Sequence, residues 1–378
     1  MSTIVIRPDH DTDATSPPPL DPRTSVKADL PRDVPRVLRR RTRDDVLSLV
    51  CSATGALALV WLVFEQMLAW SGNLGFIVCW YVTFLALYAG VTALSHPRPV
   101  IIDRLASAAV HGGAAVAGCA LVSTVLYTFI EGRSALRHLN FYTQNMAGVG
   151  PQAPLTQGGV FHAIVGSFIE VGIAVCIALP LGIGTAVFMT EVGGRLARLV
   201  RTVVEAMTAL PDILAGLFIY TTLIIGLGFQ RSGFAAAMAL TVMMLPIIAR
   251  SAEVSLRIVP GGLREAGMAL GASQWQTVRR IVLPTAKAGL ATALILGVAR
   301  AVGETAPVLI TSGASTFTNF NPFQNPMNSL PLFVLTAVRS GETLFIARGF
   351  GAASVLLTLV LALFVTTRFL ARDRMNRR

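Results

Sequence analysis

Residues 163–190 read AIVGSFIEVGIAVCIALPLGIGTAVFMT, 28 positions with one charged side chain, Glu170. At 1.5 Å of rise per residue a helix of this length exceeds the roughly 30 Å of a hydrocarbon core. A soluble surface helix keeps a polar face, and this run has none, so it is read as a membrane span. Similar stretches lie near 46–67, 74–95, 107–130, 202–228, 233–249, 286–312 and 351–371, with 233–249 marginal at 17 residues. Composition agrees: of 378 residues 53% are hydrophobic and 13% charged, against roughly 25% charged in soluble domains. The expected fold class is all-α, a polytopic helical membrane protein with about eight transmembrane helices.

The formal net charge is +11, and 29 of the 31 basic residues are arginine. With the N-terminus inside, 25 of the 31 fall on one side of the membrane and five on the other, with Arg300 inside a span. Basic loops stay in the cytoplasm, so both termini are expected there, in a multi-pass plasma-membrane protein. The surplus is a topology signal, so the bilayer is the expected partner and nucleic acid is not. Residues 1–45 mix Pro, Asp, Arg and Ser and read as a disordered cytoplasmic tail. The run after it is too long for a signal-peptide core and lacks a small-residue cleavage pattern, so it stays as an anchor. Cys51, Cys79, Cys119 and Cys176 sit in apolar stretches without CxxC spacing and are expected to be small buried hydrophobes. Two long external loops, 131–160 and 313–350, carry few acids, which permits an anionic ligand but better suits plain polar loops.

The segment 258–285 parses as two short helices. Gly271 can take the left-handed conformation that closes the first. Ser273 and Gln276 form a capping box for the second, and Pro284 marks its boundary with the next span. Leu263, Met268, Ala269, Leu270, Trp275, Val278 and Ile281 form an apolar set on a loop. Either a partner docks there, or the helix lies on the membrane interface with help from Arg264, Arg279 and Arg280.

Arg300 and Glu304 lie four residues apart inside a span, hence on one helical face. Unpaired, each would cost about 2.5 to 3.5 kcal/mol on insertion scales, so they are expected to pair or to line a polar cavity. Gly303 and Pro307 flank the pair and point to a broken helix. Ionisable residues at this depth are functional by default: Arg300 would attract an anion, while Glu304, with the adjacent Thr305, would hold it. The alternative is a structural ion pair. Glu170, Glu205 and Asp212 are weaker pathway candidates, and Glu205 either snorkels or pairs with Arg201.

Neither lysine belongs to a G-x-x-x-x-G-K-[ST] loop, the five histidines show no metal spacing, and no G-x-S-x-G elbow occurs. Chemistry within the chain, a bound metal and a bound cofactor are therefore not expected.

The run Glu265-Ala266-Gly267, then Gly271, then Ile281-Val282-Leu283-Pro284 closely resembles the EAA loop of binding-protein-dependent ABC importer permeases. Gly267 replaces the second alanine of that motif. The resemblance implies that Glu265, Ala266, Gly267, Gly271, Trp275, Ile281, Leu283 and Pro284 dock on an ATPase subunit. The stretch from Arg300 through Gly303-Glu304-Thr305-Ala306-Pro307 to Thr311 is similar to phosphate-specific permeases of the PstA type, as are Gly158-Gly159-Val160, Pro180 to Glu191, Leu210 to Leu217 and Ser329-Leu330-Pro331. Asp212, where a small polar residue is typical, and Glu170 depart from the pattern.

That resemblance implies a type I ABC importer permease core of six helices in 101–378, preceded by two extra N-terminal helices in 46–100. It also implies a second homologous permease, two copies of an ATPase that holds ATP and Mg, and an external phosphate-binding protein. Another oxyanion such as sulfate or molybdate is the alternative substrate. An ion-driven transporter with Arg300, Glu304 and Glu170 as a proton relay is the alternative class, and no internal repeat supports it.

Overall fold

A computed structural model of the chain describes residues 43–67 and 72–373. The expected tail therefore lies outside the described residues, apart from its last three, which open the first helix. Helices follow in the order α1 (Arg43–Trp61), α2 (Asn73–Ser95), α3 (Arg98–Leu136), α4 (Asn140–Thr143), α5 (Phe161–Val187), α6 (Gly194–Thr208) and α7 (Asp212–Ile219). They continue as α8 (Gly233–Arg257), α9 (Gly261–Ala269), α10 (Gln274–Thr277), α11 (Leu283–Val302), α12 (Ala306–Thr311), α13 (Leu330–Arg339) and α14 (Thr343–Asp373). Wider π turns extend α5 over Phe188–Val192 and α7 over Tyr220–Gly226, and join α10 to α11 over Val278–Val282. Among the described residues seven helices are long and apolar enough to cross a membrane. An eighth span results if α6 and the helix from Asp212 to Gly226 count as one, although they are bent by 104°.

The chain divides into two compact units, Met1–Ala115 and Val116–Arg378. In the first, α1 and α2 pack through Ala56, Phe84 and Tyr88. The indole of Trp80 donates to the Ala53 carbonyl at 3.1 Å, and Arg104 pairs with Asp45.

The second unit is built around α8. Ala235, Ala236, Ala237 and Ala239 are fully buried, together with Leu240, Met244 and Ile248. Small side chains let neighbouring backbones approach closely, which substitutes for the hydrophobic effect that lipid removes. At Gly182 of α5 an added Cβ would stand 2.8 Å from Ile248, and at Gly297 of α11 it would meet the same side chain at 2.8 Å. This explains why the stretch 233–249 is marginal as a span. In the structure the helix runs on to Arg257 and is two-thirds buried, so its solvent is protein and it needs less apolar length than a helix facing lipid.

Three expectations change. The segment 313–350 is not all loop, because α13 and the first turns of α14 lie within it. The straight span over 202–228 is two helices meeting at an elbow. Cys51, Cys119 and Cys176 are exposed and Cys79 half-buried, rather than buried. A lipid-facing surface is as apolar as a core, so residue type within such a run does not reveal which way the side chain faces.

Candidate functional site

Two helix breaks create the pathway site. Pro211 lacks an N–H and interrupts the run between α6 and α7. Gly303, Glu304 and Thr305 separate α11 from α12, which restarts with Pro307 in its first turn. The two restarted helices pack tightly: a Cβ on Gly216 of α7 would lie 2.6 Å from the Pro307 Cα. This contact brings the first residue of α7, Asp212, onto the guanidinium of Arg300. The Arg300 Nε also lies 3.6 Å from the Glu304 carboxylate. One cation thus stands between two acids. The side chain of Arg300 is 49% exposed, and it opens into a cavity of about 160 Å³ lined by Thr208, Pro211, Asp212, Met243 and Pro246 among others. Thr305 is half-buried at the start of α12 and makes no capping hydrogen bond with its side chain. The helical spacing identified Glu304 as a partner of Arg300, but Asp212, 88 residues away, is the closer one.

Nearer the end that carries 258–285 stands a second ionic group. Glu253 of α8 is 2% exposed and accepts from Arg201 at 2.9 Å, Arg250 at 3.1 Å and Arg257 at 2.7 Å. Arg250 reaches Glu205 of α6 at 3.1 Å as well. Glu205 was expected to snorkel or pair with Arg201; its partner is Arg250, because Arg201 turns to Glu253. Glu253 is not among the sequence-predicted site residues, although Arg250, Glu253 and Arg257 share one helical face by their spacing.

The segment 258–285 carries the expected local structure. Gly271 has φ +86°, and Ser273 and Gln276 cap α10 reciprocally. One expectation is corrected. α10 passes without interruption through the π turn into α11, with Pro284 at the start of α11, so Gln274–Val302 forms one rod of 29 residues. Gly267 is buried, and an added Cβ would meet the Ile281 Cδ1 at 2.6 Å. Glu265 and Ala266 are exposed. Trp275 is 64% and Leu270 90% exposed, whereas Val278 is buried and Ile281 and Leu283 half-buried. Arg264 turns into the protein. Its guanidinium binds Glu191 at 2.9 Å and donates to the Leu256 and Val259 carbonyls. Gln274 donates to the Glu191 carbonyl at 2.5 Å, so the loop is fastened to the end of α5.

Residues 178–378 match the family described as binding-protein-dependent transport system inner membrane component. The chain belongs to this family. Within it, the chain is 39% identical over 258 residues to phosphate transport system permease protein PstA 1 of Mycobacterium tuberculosis, covering 67% of this chain and 84% of that protein. It is 41% identical over 248 residues to PstA of Mycobacterium leprae, covering 65% and 81%. A solved inward-facing methionine ABC transporter, MetNI, aligns with a TM-score of 0.42 at 26% identity, covering 58% of this chain and 93% of that one. The chain is thus an ABC permease of the PstA type, the membrane subunit of a transporter.

Glu170 is 1% exposed and lies apart from the Arg300 group. Its carboxyl group meets the Ser312 hydroxyl at 2.8 Å, and that hydroxyl also contacts the Met327 carbonyl. Among the described residues no hydrogen bond or ion pair joins Glu170 to Arg300 or Glu304. It fastens the start of the 312–329 segment to α5. Arg348, another buried charge missed from sequence, donates to the carbonyls of Ala153, Pro154 and Gln157 at 2.8 to 3.0 Å, pinning the 150–158 segment.

Proposed function

We propose that this permease forms the translocation pathway of an ATP-driven importer for inorganic phosphate. The observation that carries the reading is the placement of Arg300, a half-exposed guanidinium at the junction of two helix breaks. A cation there attracts an oxyanion, and freed backbone at a helix break is tolerated only where it lines a cavity or is buried in protein. The PstA names of the relatives support phosphate over sulfate or molybdate. Dependence on an ATPase rather than a proton gradient also suits Glu170, whose bond to Ser312 leaves no relay to Arg300.

In this reading the 258–285 end and both termini are cytoplasmic. A second permease completes the pathway, two ATPase subunits bind ATP and Mg, and an external phosphate-binding protein delivers the substrate. Closure of the ATPases presses on Glu265, Ala266 and Trp275. Because Gln274–Val302 is one rod, the push travels roughly 40 Å to the break at Gly303. The pathway then switches between outward-open and inward-open arrangements as the breaks flex. Labelled phosphate uptake in cells lacking the chain tests this. Wild type restores uptake that excess sulfate does not inhibit, and Arg300→Gln, assembled to the same level, does not. Equal competition by sulfate would assign a different oxyanion, and loss of assembled complex in Arg300→Gln would make Arg300 structural.

A further inference from the structure

The cavity below Arg300 is walled by α6 and α8, through Met207 and Thr208 on one and Pro246 and Ile247 on the other. The next charged residues on those walls toward the 258–285 end are Glu205 on α6 and Arg250 on α8. Each lies within about one helical turn of the cavity lining. They pair at 3.1 Å, and both stay open, with side chains 50% and 43% exposed. An ion pair so exposed separates readily. Arg250 is also spare in the packing sense, because Glu253 retains Arg201 and Arg257 when Arg250 leaves it.

The two ionic groups differ in sign. Around Arg300 two carboxylates face one guanidinium. Around Glu253 three guanidinium groups face the two carboxylates of Glu205 and Glu253. An anion at the first group therefore sees a surplus of positive charge toward the coupling loop.

We propose that Arg250 is a second oxyanion-binding station, on the coupling-loop side of the cavity, which Glu205 holds closed when it is empty. The proposal rests on the reading of Arg300 as the first station. Phosphate leaving Arg300 displaces Glu205 from Arg250, and the pair re-forms behind it once phosphate is released.

The test uses the complete complex in proteoliposomes, with ATP-driven phosphate uptake as one readout. The other is protection by phosphate of Thr208→Cys against a charged thiol reagent, read at residue 208 by mass spectrometry. Arg250→Gln lowers uptake by roughly tenfold or more while phosphate still protects residue 208, and Arg250→Lys restores most of the uptake. Glu205→Gln lets preloaded phosphate leak out several-fold faster without ATP, as expected for a missing closure. Wild-type uptake in Arg250→Gln overturns the proposal. So does a loss of complex shared equally by Arg250→Gln and Arg250→Lys, which would make Arg250 a structural partner of Glu253. Failure of Arg250→Gln to keep the protection would merge the two stations into one and overturn it too. If phosphate does not protect residue 208 in the otherwise wild-type complex, the reading of Arg300 itself fails, and this proposal falls with it.

Discussion

The Arg300 group and the Glu253 group are made from the same residue types on neighbouring helices, yet they are built to opposite plans. At Glu253 the acid is buried and supplied with more cations than it needs. At Arg300 the cation is half open and the acids outnumber it. Burial and stoichiometry separate a fastening from a station. A charge with surplus partners and no solvent, such as Glu253, holds helices together, whereas an open charge beside a cavity, such as Arg300 or Arg250, is available to a ligand.

The sharpest way to break that contrast is Glu253→Ala. It leaves Arg201, Arg250 and Arg257 without their shared acid, and each hydrogen bond to a charged group contributes about 1.5–3 kcal/mol. Recovery of intact complex after detergent extraction falls steeply. A complex as stable as wild type would show that the group is no fastening. A smaller effect is expected at Asp212→Asn. Assembly is unchanged, because pairs this exposed contribute about 1 kcal/mol or less. Relieved of its carboxylate, Arg300 holds phosphate more tightly, and the phosphate concentration that half-protects Thr208→Cys falls by up to about fivefold, the factor that corresponds to about 1 kcal/mol. A rise instead would place Asp212 among the groups that receive the anion. The smallest effect is predicted for Arg257→Gln. Arg257 is 57% exposed and Glu253 keeps two partners, so thermal unfolding of the complex shifts by no more than about 2 °C. A larger shift would show that Glu253 needs all three cations.

What could be read from the sequence follows the range of the signal. Spans, the left-handed Gly271 and the Ser273–Gln276 capping box depend on residues within a few positions, and the structure contains them. The Arg300–Glu304 pair was visible because four residues make one turn. Asp212 was identified as unusual but could not be joined to Arg300, since helical spacing carries no information across 88 residues. The same rule misled at Glu205, where the helical neighbour Arg201 was expected and the tertiary neighbour Arg250 is found. The cysteines fail for a different reason, because in a membrane protein the inside and the outside of a span share one composition. The docking expected of Glu265, Trp275 and the rest of 258–285 comes from the resemblance alone, and the structure adds that Trp275 and Leu270 are exposed there.

The two helix breaks also impose an order on the making of the protein. Asp212 opens α7, and its partner Arg300 is synthesised 88 residues later. At ribosomal speeds of about 5–20 residues per second, that is an interval of roughly 4–18 s. During it, the first break has neither the Gly216–Pro307 contact nor a counter-charge, and a lone carboxylate does not rest in hydrocarbon. The elbow between α6 and α7 must therefore wait at the water interface, or in the shelter of the insertion machinery, until α11 and α12 emerge.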